Sequence, residues 1–327
     1  MATLKDVAKE TGLTVTTVSR VLNNRGYISE ETRQKVTEAM KKLNYSPNEV
    51  ARSLSKKTTN TIGVIVPHIR HPYFSEMISH IENVASKRGY KIILCNSQDK
   101  DNKEREYIEM CRSNRVAGII LCSGGVSVEE FDEINIPIIT FERFIETGTA
   151  AVVCDNLQGG KIATQHLIDC GCKRLLHVSG VNENAMPADD RANGFIEVCE
   201  KSGIEHKEIA TMQYQYNNLE YHELLKRAIC ENQDVDGIFA SSDLIAAQVI
   251  QVCAKYGKRI PQDIKLVGFD DVNIASITTP TITTIHQPMS EMAELSVDML
   301  IAAAEGKTVA RKTILPVTLI RRESTEV

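Results

Sequence analysis

The sequence predicts an α/β protein in which a small three-helix head precedes a core of two lobes with parallel sheets. Three observations carry this. Residues 1–46 show three helical patterns punctuated by turn signals. From Thr61 onward, short apolar runs alternate with amphipathic helices, the signature of parallel strands joined by right-handed crossovers. The alternation comes as two series in tandem, which implies two lobes.

In the head, Thr3 and Asp6 have the spacing of an N-terminal cap, and Gly12 stops the first helix and permits a tight turn. Thr14 is placed to cap a second helix. Advancing about 100° per residue puts Thr16, Ser19, Arg20 and Asn23 on one stripe and Val18, Val21 and Leu22 on the other. Val7 and Ala8 of the first helix supply the opposing apolar surface. Ser29 begins a third helix, with Glu30 and Glu31 in the first turn where acids complement the helix dipole. Val36, Ala39, Met40 and Leu43 close the three-helix core, and Tyr45-Ser46-Pro47 ends it. Residues 47–60 hold a weak helical pattern, Val50, Ala51 and Leu54, and then a polar run, which on pattern alone is a linker.

The core, residues 61–327, opens with TIGVIVP and a helix marked by Phe74, Met77, Ile78, Ile81 and Val84. KIILCNS, a charged helix from Asn102 to Arg115, AGIILCS and PIITFER complete the first series. The second runs through AVVCD, a helix from Gly159 to Cys170, RLLHVSG, a helix around Arg191 to Ser202 and another from Leu219 to Glu231. DGIFASS, a helix from Leu244 to Tyr256 and IKLVGFD follow, and TTIHQP, a helix from Ser290 to Ala304 and TILPVTLIRRES close the chain.

A length of 327 residues suits two or three domains, and 42% hydrophobic with 25% charged residues is an ordinary soluble composition. No apolar run reaches the roughly 18 residues of a membrane span, and Met1 to Glu10 is too charged for a signal peptide, so a cytoplasmic protein without membrane partners is expected. Nine cysteines, never spaced as CxxC, read as reduced core residues, and no metal or cofactor is expected. Charge is divided unevenly. Residues 1–60 carry eleven Lys and Arg against six acids, net +5, and the remainder 27 against 37, net −10. A basic head on an acidic body confines any nucleic-acid footprint to the head.

A helix whose outer stripe is hydroxyls, an amide and one Arg suits the DNA major groove, because it brings no carboxylate to the phosphates. An ordinary amphipathic hairpin satisfies the same pattern. The stretches LKDVAKETGLTVTTVSRVLN, GYISEETRQKV and YSPNEVARSLSKK resemble the amino-terminal region of the LacI/GalR family of bacterial transcriptional repressors, nearly residue for residue. The resemblance implies a helix-turn-helix head, a hinge helix over 47–60, and a periplasmic-binding-protein-like core whose closing segments cross between lobes. It places Val15, Thr16 and Arg20 at base-reading positions, Thr14, Thr17, Ser19 and Asn23 on the same DNA surface, and Val50, Ala51 and Leu54 at the hinge, with Leu54 as an apolar minor-groove wedge. The implied partners are double-stranded DNA with a near-palindromic operator, a second copy of the chain, and a small effector.

In open parallel sheets the ligand crevice lies beyond the carboxyl ends of the strands. Tyr73 and Phe74, Glu142, Asp155, Arg191, Asp243 and Asp270 all fall there. Carboxylates, an Arg and an aromatic pair suit a hydroxyl-rich sugar, although Asp155, Asp243 and Asp270 are equally placed to cap the helices that follow them. The resemblance favours Tyr73, Phe74, Arg191, Asp243 and Asp270 as effector-cleft positions. Asn182 to Pro187 departs from the basic and hydroxyl pattern of purine-responsive members, which leaves a sugar or sugar phosphate, and HPYFSEM, LCNS and KEREYIEM look most like repressors of sugar-uptake operons, including those for sucrose. A purine-responsive repressor and a sugar-binding protein without regulatory role are the alternatives. An enzyme has little support: around Gly159-Gly160-Lys161, Asp155 stands where a phosphate loop needs its first glycine and Ile162 where it needs Ser or Thr.

Overall fold

The computed structural model describes residues 2–22, 26–45, 59–98, 100–123, 136–143, 149–181 and 186–326, and the chain forms two compact units, Met1–Thr59 and Asn60–Val327. In the first, α1 (Leu4–Thr11), α2 (Val15–Leu22) and α3 (Glu30–Lys42) pack Val7, Ala8, Val18, Val36 and Ala39 into a small core. The caps follow the spacing. The Asp6 carboxylate accepts from the Thr3 amide at 2.8 Å and hydroxyl at 2.7 Å, the Thr14 hydroxyl accepts from the Thr17 amide at 3.1 Å, and Ser29 accepts from the Thr32 amide at 3.3 Å. Gly12 turns the chain in the left-handed region, φ +68°, where a side chain would be strained.

The second unit holds two six-stranded sheets. One has the order β11-β5-β4-β3-β1-β2, formed by β1 (Thr61–Val66), β2 (Lys91–Asn96), β3 (Gly118–Leu121), β4 (Ile138–Phe141), β5 (Ala150–Cys154) and β11 (Lys312–Leu315). The other has the order β12-β10-β9-β8-β6-β7, formed by β6 (Arg174–Ser179), β7 (Glu205–Ala210), β8 (Gly237–Ala240), β9 (Lys265–Asp270), β10 (Thr283–His286) and β12 (Thr318–Ile320). Every pairing is parallel except β10 with β12. The inner strands β1, β3, β4, β5, β8 and β9 are almost wholly buried, as expected of strands covered on both faces.

Helices α4 (Pro72–Lys87), α5 (Asp101–Ser113) and α12 (Met289–Ala304) cover the first sheet. The second carries α6 (Asn156–Asp169), α7 (Asp190–Ser202), α8 (Gln213–Asn218), α9 (His222–Glu231), α10 (Asp243–Lys255) and α11 (Ile274–Ile277). The chain passes between lobes after β5, after β10 and between β11 and β12. AVVCD was expected to open the second series, yet β5 pairs with β4 in the first sheet. Alternation of strands and helices does not record on which side of a lobe boundary a strand lies. The helix expected over Leu219–Glu231 starts later, as α9 at His222, and the unforeseen short helix α8 ends just before it, with Leu219 as its left-handed cap, φ +58°. Gln248 holds the break, donating to the Leu219 carbonyl at 3.0 Å and accepting from the Tyr221 amide at 2.8 Å. Strand β7, EHKEIA, carries no apolar run, because among the described residues it is an edge strand paired with β6 alone.

Gly159, Gly160 and Gly194 explain the false phosphate loop. A Cβ on Gly160 would overlap the Arg191 carbonyl oxygen, and one on Gly194 would overlap that of Leu157. Helices α6 and α7 therefore cross backbone to backbone, and this crossing sets where Arg191 begins.

Candidate functional site

On the head, Val15 (40% exposed), Thr16 and Arg20 present one exposed face of α2, while Val18 is fully buried on the other. Thr14 and Thr17 share a hydroxyl–hydroxyl bond of 2.9 Å at the start of the helix, and Ser19 is partly buried. Asn23, Val50, Ala51 and Leu54 lie outside the described residues, as do most of the 47–60 linker and Asn182–Ala185.

A cavity of about 390 Å³ opens between the two lobes of the core. From the first lobe it is lined by His71, Tyr73 and Phe74 at the start of α4 and by Phe141 and Glu142 at the end of β4. From the second it is lined by Asp189, Arg191, Tyr216, Tyr221, Ser241 and Asp270 among others. Five of the seven residues expected in this cleft are thus brought together. The other two are not. Asp155 caps α6, accepting from the Gln158 amide at 3.0 Å, and does not line the cavity. Asp243 is 0% exposed and accepts from the Val272 amide at 3.0 Å and the Thr284 hydroxyl at 2.5 Å, which anchors the backbone just after β9. Both have the sequence signature of a cleft carboxylate, and in both the backbone amides nearby claim it first.

The neighbour of Asp155 joins the polar network instead. Asn156 donates from Nδ2 to Glu142 at 2.6 Å and accepts from Arg191 Nε at 2.7 Å. Glu142 also accepts from the Cys154 amide at 2.7 Å. Arg191 Nη1 donates to the Ser241 carbonyl at 2.7 Å and stands 3.6 Å from Asp270, close enough for Coulomb attraction but too long for a good hydrogen bond. Its guanidinium lies 3.7 Å over the Phe269 ring. Asp270 accepts from Gln287 at 2.7 Å. A polar chain, Glu142–Asn156–Arg191–Asp270–Gln287, therefore runs from one lobe to the other through two of the crossings between them. A buried guanidinium is tolerable only when it is so fully engaged.

Burial dominates the proton affinities here. It pushes the Asp270 carboxyl up to about 7, against the opposing pull of Arg191, and raises Asp243 as well. It holds the His71 imidazole down at about 4. Tyr73 lines the cavity, and its hydroxyl is buried with no hydrogen-bond partner among the described residues. At the rim, His68 Nε2 lies 3.3 Å from Asn217 Oδ1, and its ring meets Tyr216 edge-on at 5.0 Å, so the first lobe touches α8 of the second. Tyr216 was missed because the short helix α8 has no apolar period to announce it, and Tyr221 because it precedes α9 as its cap and does not follow a strand. The arrangement provides carboxylates, a guanidinium and aromatic faces around a space of small-ligand size.

Residues 3–48 match the model of the lacI family of bacterial regulatory proteins, and residues 164–325 match a periplasmic binding protein-like domain. The chain is 37% identical over 329 residues to a ribose operon repressor of Halalkalibacterium halodurans, covering 100% of this chain and 98% of that one. It is 37% identical over 326 residues to a sucrose operon repressor of Streptococcus mutans, covering 99% of each. A LacI transcriptional regulator from Alkaliphilus metalliredigens, solved in complex with D-xylulofuranose, superposes with a TM-score of 0.74 at 34% identity, covering 82% of this chain and 100% of that one. The lac repressor dimer bound to operator shares the fold, with a TM-score of 0.86 at 24% identity over 99% of each chain. With a full-length relative well above 30% identity and a helical head that matches the family's own model, the chain belongs to the lacI family of bacterial regulatory proteins.

Proposed function

We propose that the chain is a sequence-specific DNA-binding repressor of a carbohydrate-utilisation operon, released or recruited by a sugar bound between the two lobes. The observation that carries this is the joining of an exposed α2 face, Val15, Thr16 and Arg20, to a core whose inter-lobe cavity gathers Tyr73, Phe74, Glu142, Arg191 and Asp270. Full-length similarity to ribose and sucrose operon repressors supports it.

On DNA, Arg20 grips guanine O6 and N7 in the major groove, Val15 and Thr16 meet neighbouring base edges, and Thr14, Thr17, Ser19 and Asn23 hold phosphates. Val50, Ala51 and Leu54 belong to a hinge that enters the minor groove at the centre of a near-palindromic operator, read by a homodimer. In the core, the sugar stacks on the aromatic wall while its hydroxyls bond Glu142, Arg191 and Asp270. It shifts the lobes only by its differential affinity for their open and closed arrangements. The test is a fluorescence-anisotropy titration of the full chain on a selected palindrome at fixed salt, with and without a panel of sugars. A tenfold change in affinity, about 1.4 kcal/mol of coupling, supports the reading, and its sign separates inducer from corepressor. Failure to select any specific DNA overturns it.

A further inference from the structure

Free sugars and their phosphate esters both have the hydroxyls this cleft suits, and the charge of its wall distinguishes between them. Among the described residues lining the cavity, the carboxylates are Glu142, Asp189 and Asp270, and Arg191 is the one Lys or Arg. Arg191 is partly committed and its charge is offset: two of its nitrogens donate to Asn156 and Ser241, Asp270 sits beside it, and its face covers Phe269. His71 is held neutral at physiological pH by burial. Arg143, next to Glu142 in sequence, turns away to the Ser123 carbonyl and the buried Glu104, and Arg70 is exposed and does not line the cavity. The stretches 124–135, 144–148 and 182–185 contain no Lys, Arg or His. The wall is therefore rich in acceptors and net negative. A phosphate is acceptor-only and doubly charged, so it finds carboxylates where it needs donors. A neutral hydroxyl both donates and accepts, so it can donate to Glu142 or Asp270 while accepting from a neighbouring donor.

We infer that the effector is a neutral, unphosphorylated sugar, and that the cleft rejects the corresponding sugar phosphate through its carboxylates. This rests on the sugar-controlled reading above and narrows it. In physiological terms the protein reports sugar that has not yet met a kinase or a phosphorylating transporter.

The test is calorimetric titration of the full-length protein at pH 7.5 with matched pairs: D-ribose and D-ribose 5-phosphate, D-xylulose and D-xylulose 5-phosphate, sucrose and sucrose 6-phosphate, with inorganic phosphate as competitor. The expected result is that one neutral member binds and its ester binds at least a hundredfold more weakly. Asp189→Asn, which removes a lining carboxylate bonded among the described residues to the Met186 backbone amide at 2.8 Å, is expected to recover roughly tenfold of the lost ester affinity. An ester that binds more tightly than its parent, or inorganic phosphate that displaces the ligand, overturns the inference while leaving sugar control intact. Binding of no member of any pair overturns both together.

Discussion

Arg20 and Asp270 show how much a single side chain decides. Arg20→Ala is expected to lose about 1–3 kcal/mol of operator discrimination while keeping weak, salt-dependent binding to any duplex. Gel shifts at fixed salt on operator and scrambled DNA check this, and unchanged preference would return Arg20 to a phosphate contact. Asp270 makes a prediction about pH. Its folded proton affinity, near 7, lies above that of an unfolded aspartate, so the folded core holds the proton more tightly. Its contribution to stability is full below about pH 4 and is lost as pH rises through 7. Asp270→Asn should therefore melt progressively higher relative to wild type as pH is raised from 4 to 8, and a constant difference across that range would rule the assignment out. Arg191 and Asp270 were legible in the sequence because residues at the carboxyl ends of parallel strands face the crevice. Asp155 and Asn156 show the limit of that rule. One residue of rotation along the chain decides whether a polar group joins the network between Glu142 and Arg191 or the amides of the following helix, and no pattern in the sequence resolves a single residue.

At the scale of elements, the α6–α7 crossing ties fold to site. Gly160→Ala would press on the Arg191 backbone, moving the guanidinium that both lobes share through Asn156. The cost to core stability should be about 1–3 kcal/mol, with effector affinity falling more than operator affinity. Thermal melts with sugar titrations and gel shifts on one preparation separate the two effects. A variant that melts lower but binds sugar normally would show that the crossing does not position Arg191. The strands and helices of both lobes were readable from periodicity wherever they are buried on an apolar face. The exceptions share a cause. Edge strand β7 needs no apolar run, and the α8–α9 break depends on Gln248, 27 residues beyond Tyr221. Local pattern does not carry a partner that far away.

In the whole molecule, a basic head and an acidic core assign the two ligands to different units. Calorimetry of the full chain should resolve a small head transition that moves with operator DNA and a large core transition that moves with sugar. At a hundred times its Kd, the sugar should stabilise the core by about 2.7 kcal/mol, and a single transition responding to both ligands would show that the units do not unfold independently. The route of the chain adds a constraint of a different kind. The first lobe begins at Thr61, yet its sheet gains its last strand only with β11, and Leu300 of α12 covers Gly118 of β3. During synthesis, the three helices of the head are complete once Lys42 is made, while the first lobe waits for residues 289–315 with an apolar sheet face uncovered. The reader of DNA is thus finished long before its controller, and a chain broken off inside the core would release a head that nothing restrains.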